Sequence, residues 1–304
     1  MRVLEIGSKA LDSVFAASKL RLYVWLSLVS QIMIVVTGGA VRLTASGLGC
    51  PEWPMCTEES LVTVPEMGIH GIIEFANRLL TFVLVIIAAL TIFTVFRNAR
   101  RGRGLRWPAA ALLAGIPAQA VIGGISVWTD LNPWVVGLHF VLSGVLIAIA
   151  ALLLFRTYQP AVGPVSELRW RLSPAIAGVG WVSVLIGVMV TGAGPHSGDS
   201  ESPRNGLDLE LWQHFHSYPG YLLLSLAVLQ LILTLRSERS FFATWQSRVS
   251  VLLVATIALQ AVVGVMQARM GVPALLVGIH MFGASVAIAL LSLQWLVTSG
   301  RRFD

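Results

Sequence analysis

Two histidines of this chain stand in the same local context. Gln119-Ala-Val-Ile-Gly precedes His139 and Gln260-Ala-Val-Val-Gly precedes His280, with twenty residues from glutamine to histidine each time. Each histidine follows a proline, Pro133 or Pro273, by six or seven residues and opens a long apolar run. Neutral imidazole is a frequent metal ligand and an axial ligand of haem iron. A symmetry-related pair inside apolar segments therefore points to metal or haem ligation. Polar groups in hydrocarbon are costly and face a bundle interior or a cavity, which draws in two more histidines, His214 and His216. These two are about 200° apart on a helix, so they cannot both face one iron. His70 opens an apolar segment, and His196 lies in a polar stretch, Gly-Pro-His-Ser-Gly-Asp.

The carboxylate best placed for chemistry is Glu74, inside an apolar segment and followed at i+4 by Arg78. That spacing allows a plain structural ion pair. His70, Glu74, Asn77 and Arg78 nevertheless share one helical face, and a buried acid beside such groups can donate or accept protons. Arg42 and Arg78 are also positioned to neutralise acidic groups of a ligand, or to snorkel toward a polar boundary.

The elements that carry these residues are membrane spans. Of the 304 residues, 56% are hydrophobic and 12% charged, and the mean hydropathy is +0.80, a composition that excludes an ordinary water-soluble domain. Apolar runs that can cross roughly 30 Å of hydrocarbon occur at 22 to 43, 70 to 96, 107 to 128, 133 to 155, 174 to 194, 209 to 235, 247 to 268 and 273 to 297. The fold class is all-α, with eight transmembrane helices.

The net charge of +6 is not a nucleic-acid signal, because the basic residues fall in alternate loops. Lys9, Lys19 and Arg21 precede the first span; Arg97, Arg100, Arg101, Arg103 and Arg106 separate the second from the third. Arg156, Arg169 and Arg171 follow the fourth, Arg236, Arg239 and Arg248 follow the sixth, and Arg301 and Arg302 close the chain. Positive-inside asymmetry predicts that these loops and both termini are cytoplasmic. The acidic loops, with Glu52, Glu58, Glu59, Glu66, Asp199, Glu201, Asp208 and Glu210, face outward. No cleavable leader pattern precedes the first span, which is expected to be retained. Cys50 and Cys56 share the first outward loop, where an oxidising compartment permits a disulfide.

The spans form two halves. Thr37-Gly-Gly leaves the first and Thr191-Gly-Ala leaves the fifth; Glu74-Phe-Ala-Asn77 opens the second and Gln213-His-Phe-His216 the sixth. Four spans per half make the repeat parallel, about an axis along the membrane normal. The expected divisions are 1–21, a cytoplasmic N-terminus; 22–157, one four-helix half; 158–173, a cytoplasmic linker; 174–298, the second half; and 299–304, a tail. The alignment lays His216, rather than His214, over Asn77. At 1.5 Å per residue, His139 and His280 lie roughly 10 Å below the outer ends of their spans.

The motifs VTGGAVRLTASGLGCPEWPMC, IIEFANRLLT, LNPWVVGLHF, VTGAGPHSGD and GVPALLVGIHMFGA, in this order, resemble those of haem A synthases of the bacterial type, which act in cytochrome oxidase assembly. The resemblance spans nearly the whole chain. It implies an oxidoreductase of the bacterial plasma membrane that oxidises the C8 methyl group of haem O to the formyl group of haem A. It further implies a haem b held by His216 and His280 in the second half, a substrate haem on His139 in the first half, Glu74 as the catalytic acid, and the outward pair Cys50 and Cys56. Its partners would be a haem O synthase, an electron donor and terminal oxidases, and it allows a homo-oligomer. The family pattern on the second span is Glu-x-x-His-Arg, where this chain has Glu74-Phe-Ala-Asn77-Arg78. Either His70, two turns earlier on the same face, or His139 alone is then left to hold the substrate iron. Two further classes compete: a di-haem cytochrome that carries electrons without altering its haem, which needs ligands but no buried acid, and a transporter, which the parallel repeat suggests.

Overall fold

The computed structural model describes residues 12–98, 103–238, 242 and 244–299. Lys9, Arg100, Arg101, Arg239, Arg301 and Arg302, used above to orient the loops, lie outside the described residues, as do most of the N-terminal segment and the tail 300–304. Eight helices among the described residues are long and apolar enough to cross a membrane. They are α1 (Leu20–Leu43), α2 (Gly68–Arg97), α3 (Arg106–Trp128), α4 (Pro133–Tyr158), α5 (Glu167–Ala193), α6 (Leu209–Glu238), α7 (Trp245–Arg269) and α8 (Ala274–Thr298). At 1.5 Å per residue each is about 35–45 Å long, enough to span hydrocarbon and reach into the headgroups. The protein is thus a multi-pass membrane protein.

Local chemistry sets the helix starts that matter for the site. Pro133 occupies the first position of α4 and the Asn132 side chain accepts the Trp134 N–H, an N-cap that fixes where the His139 helix begins. Thr244 and Ser247 form a capping box at the start of α7. α5 begins at Glu167, earlier than the hydropathy limit at 174, because Ser166 caps it and Arg169 is drawn inside with only 2% exposure. The segment between the halves is accordingly short and irregular from 159 to 166.

Four helices meet at the centre: α8 packs on α1, α4 and α5, and α4 packs on α1 and α5. The others flank them. α2 lies on α1 and α3, α3 on α2 and α4, α6 on α5 and α7, and α7 on α6 and α8. The pairs α1·α2, α2·α3, α3·α4 and α1·α4 thus recur as α5·α6, α6·α7, α7·α8 and α5·α8. Two large apolar clusters fill the interior, and each borrows from the other set of four helices. In one, Val24, Leu112, Ile147 and Leu154 take in Ile288 and Ala289 of α8. In the other, Ile176, Leu253 and Val297 take in Ala151 and Phe155 of α4.

Candidate functional site

The helix ends that carry loops 44–67 and 194–208 enclose one cavity of about 1140 Å³, bordered by His139, His216, His280, Glu74, Asn77 and Arg78 together. That is above the roughly 300–1,000 Å³ of ordinary small-ligand pockets. It draws its walls from both sets of four helices.

On the α5–α8 side, His216 of α6 and His280 of α8 face each other with ring centroids 6.1 Å apart and planes at 76°. His214 also borders the cavity, from an exposed position on α6. Close approach explains how the rings are held. A Cβ on Gly187 of α5 would come within 2.9 Å of His216 Cε1, so only glycine leaves room for that imidazole against the helix backbone. Gly264 of α7 lies correspondingly against His280. One turn beyond His280, Gly283 admits Gln260, whose Nε2 would be 1.7 Å from a Cβ there. The Nδ1 atom of His280 is buried without a hydrogen-bond partner in the protein.

These residues fit a haem iron. An iron between the two rings, with metal–nitrogen bonds of about 2.0 Å and about 1 Å from each nitrogen to its ring centre, would need a separation of about 6 Å, and the centroids stand 6.1 Å apart. Among the described residues no three His, Cys, Asp or Glu side chains converge as an all-protein metal centre requires. Two imidazoles suffice for haem, because the macrocycle supplies the remaining ligands.

On the α1–α4 side, His139 of α4 lies against Gly123 of α3, and its Nδ1 is likewise buried without a partner. Gln119 fixes this turn: its Nε2 donates to Ser143 Oγ at 2.6 Å and to the His139 carbonyl at 3.3 Å, and Ser143 Oγ donates to that same carbonyl at 3.0 Å. From α2, Asn77 borders the cavity beside Gly38 of α1. Its Oδ1 is buried and unpartnered.

Glu74 is 6% exposed and tied to the loop above it. Oε2 accepts the Cys50 N–H at 2.6 Å, and Oε1 accepts from Arg78 Nη2 at 2.5 Å and Nε at 3.1 Å. Arg78 in turn donates to the carbonyls of Cys50, Glu52 and Met55 at 3.1, 3.0 and 2.9 Å. The ion pair allowed by the i+4 spacing is therefore present, in a residue that also borders the cavity. Cys50 and Cys56 are joined as a disulfide and fully buried. Their loop places Trp53, Pro54, Leu61 and Val62 on the cavity wall.

Two sequence candidates lie away from the cavity lining. His70 is exposed in the first turn of α2, where its Nδ1 meets Ser46 Oγ at 2.9 Å. It shares a helical face with Glu74 and Asn77, but α2 starts only at Gly68, which leaves His70 at the level of the covering loop. His196 bonds the Val272 carbonyl through Nε2 at 2.8 Å. Arg42, which the sequence offered as a partner for acidic ligand groups, donates to the carbonyls of His196 and Thr191 at 2.5 and 2.8 Å, so the end of α1 grips the loop after α5. Sequence reasoning did not find this grip, the Cys50–Glu74 bond or the glycines behind the imidazoles. Only the recurrence of Gly123 and Gly264, each four residues after its glutamine, signalled the last of these.

A family model described as cytochrome oxidase assembly protein (COX15-CtaA) matches residues 21–199. A protein of Rhizobium etli named heme A synthase is 27% identical over 331 aligned residues, covering 91% of this chain and 89% of its own length. Heme A synthases of Geobacillus kaustophilus and Listeria monocytogenes are 26% and 28% identical over 51% and 43% of this chain, and 50% and 42% of their own.

Proposed function

This chain belongs to the cytochrome oxidase assembly protein family, and we propose that it is a haem A synthase, an oxidoreductase that converts the C8 methyl group of haem O to the formyl group of haem A. The observation that carries this reading is a shared cavity that joins an imidazole pair to a separate imidazole with an acid nearby. An electron carrier would need the ligands but not Glu74, and the relatives compared above are heme A synthases.

In this reading His216 and His280 hold a haem b, and His139 binds the iron of the substrate. The chemistry such a haem b supplies is reversible one-electron storage. Conversion of a methyl to a formyl group is a four-electron oxidation that inserts one oxygen atom, from dioxygen or water, and moves protons as it does so; Glu74 is the acid–base group placed to move them. Arg78 keeps that carboxylate in position and fastens the loop of Cys50 and Cys56 over the cavity. Trp53, Leu61 and Val62 of that loop line the cavity wall.

The packing pairs that recur between α1–α4 and α5–α8 support a parallel repeat. Its halves are 22–157, which takes substrate, and 174–298, which holds haem b; the segments 1–21, 158–173 and 299–304 lie in the cytoplasm. The charge asymmetry supports both termini inside, and the bacterial relatives support a plasma membrane protein. Haem O is supplied by a haem O synthase, reducing or oxidising equivalents pass through an electron-transfer partner, and haem A goes to terminal oxidases.

The test is to extract haem from the purified protein and identify it by mass before and after haem O is supplied. Haem b throughout, with haem A appearing only after haem O is added, is expected. Haem O returned unchanged under turnover conditions overturns the reading.

A further inference from the structure

The two sides of the cavity share a frame and differ in one ligand position. His139 and His280 are 141 residues apart, as are Gln119 and Gln260, and Gly123 and Gly264. On the facing helices His216 lies over Gly187, while Asn77 lies beside Gly38. Where α6 offers an imidazole, α2 offers a carboxamide.

No other side chain of α2 replaces the missing imidazole. His70 is engaged by Ser46 outside the cavity lining, and both carboxylate oxygens of Glu74 are taken by Arg78 and the Cys50 N–H. Imidazole suits iron, whereas a neutral carboxamide oxygen is a ligand for hard cations. Asn77 Oδ1 is nonetheless buried with no hydrogen-bond partner, and a buried polar atom of that kind calls for one. Since Oδ1 accepts, a partner that satisfies it must donate, as water does.

We infer that the substrate iron takes a single protein ligand, His139, and that Asn77 holds a water molecule by hydrogen bond on the opposite face of the macrocycle. This rests on the haem A synthase reading for the identity of the substrate. Asn77 is then a positioning residue for the exchangeable ligand, and the two halves hold iron differently: six-coordinate between two imidazoles in one, and open to small molecules in the other.

The experiment uses the full-length protein with its haem b, loaded with haem O and examined without turnover. Ferric wild-type protein should give a low-spin signal from haem b and a second, six-coordinate high-spin signal by electron paramagnetic resonance and resonance Raman spectroscopy. The reduced form should bind carbon monoxide at one of its two haems. Asn77→His should turn the high-spin signal into a second low-spin one and reduce carbon monoxide binding at least tenfold. Asn77→Leu should shift the high-spin haem from six- to five-coordinate, and His70→Ala should change neither signal. Two bis-imidazole signals in the wild type, a change of the substrate haem's spin state on His70→Ala, or an unchanged spectrum in Asn77→Leu would overturn the assignment. If the loaded protein shows the expected ligation but makes no formyl product, the haem A synthase reading fails and the ligation stands. If formyl product forms from a wholly low-spin protein, the reverse holds.

Discussion

The carboxylate of Glu74 accepts the backbone N–H of Cys50 at 2.6 Å across 24 residues of sequence. One side chain thereby belongs both to the cavity wall and to the base of the disulfide loop. A charge-assisted hydrogen bond of this kind is shorter and stronger than a neutral one, and Arg78 doubles the tie through the carbonyls on the same loop. Chemistry at Glu74 and order in the loop are therefore separable only by choosing substitutions that keep one of them.

Glu74→Gln keeps length and one acceptor oxygen while removing the acid. We expect the haem b spectrum to persist and formyl product to fall about tenfold or more, toward the ~10²-fold that a positioned acid or base contributes. The rate of haem A formation in membranes, normalised to haem b, is the measurement. A wild-type rate would make Glu74 an anchor of the loop and nothing more.

Arg78→Leu should act on the loop first. It removes the donors to Cys50, Glu52 and Met55 together and leaves a buried carboxylate without its cation, which is strongly destabilising for a buried pair. Limited proteolysis should cleave between residues 51 and 63 at least several-fold faster than in the wild type. Unchanged cleavage would show that the disulfide alone holds the segment.

Cys50→Ser opens a ring whose ends are six residues apart. Loop-closure entropy for so short a ring is worth about 2 kcal/mol. The thermal midpoint in detergent should drop and haem occupancy with it, by more than the rate per bound haem changes. A variant of unaltered midpoint and slowed chemistry would assign the cysteines to the reaction instead.

His280→Ala should abolish the low-spin bis-imidazole signal. Gly187→Val should weaken it without replacing a ligand, because a Cβ there would press on His216 Cε1 at 2.9 Å. Retention of the full signal in His280→Ala would remove His280 from the iron. A normal signal in Gly187→Val would show that His216 has room to turn, against the packing described.

Spans, their order and the matched histidines can be read from the chain because hydropathy and a repeated Gln-to-His spacing are periodic, local signals. The choice of His216 over His214 follows from aligning one half on the other, and it is the His216 ring that faces His280. His70 shows where that logic stops. Its helical phase matches Glu74 and Asn77, but phase does not report height, and the first turn of α2 rises beside Ser46 rather than the cavity. The start of α5 escapes a hydropathy reading because Arg169 looks like a boundary charge, yet it is folded inside. The Arg42 grip on Thr191 and His196 joins residues some 150 apart through backbone carbonyls, which leave no trace in side-chain identity.

The helices that supply the paired positions have unequal roles in the bundle. His139 and His280 stand on α4 and α8, which pack at the centre, whereas Asn77 and His216 stand on α2 and α6, each flanked by one central and one outer neighbour. Each half of the cavity is a jaw with one fixed and one outboard plate. The outboard plate of each jaw therefore stands between the cavity and exposed apolar residues, such as Ile86 of α2 and Leu222 of α6, whereas the plates on α4 and α8 are backed by the other central helices.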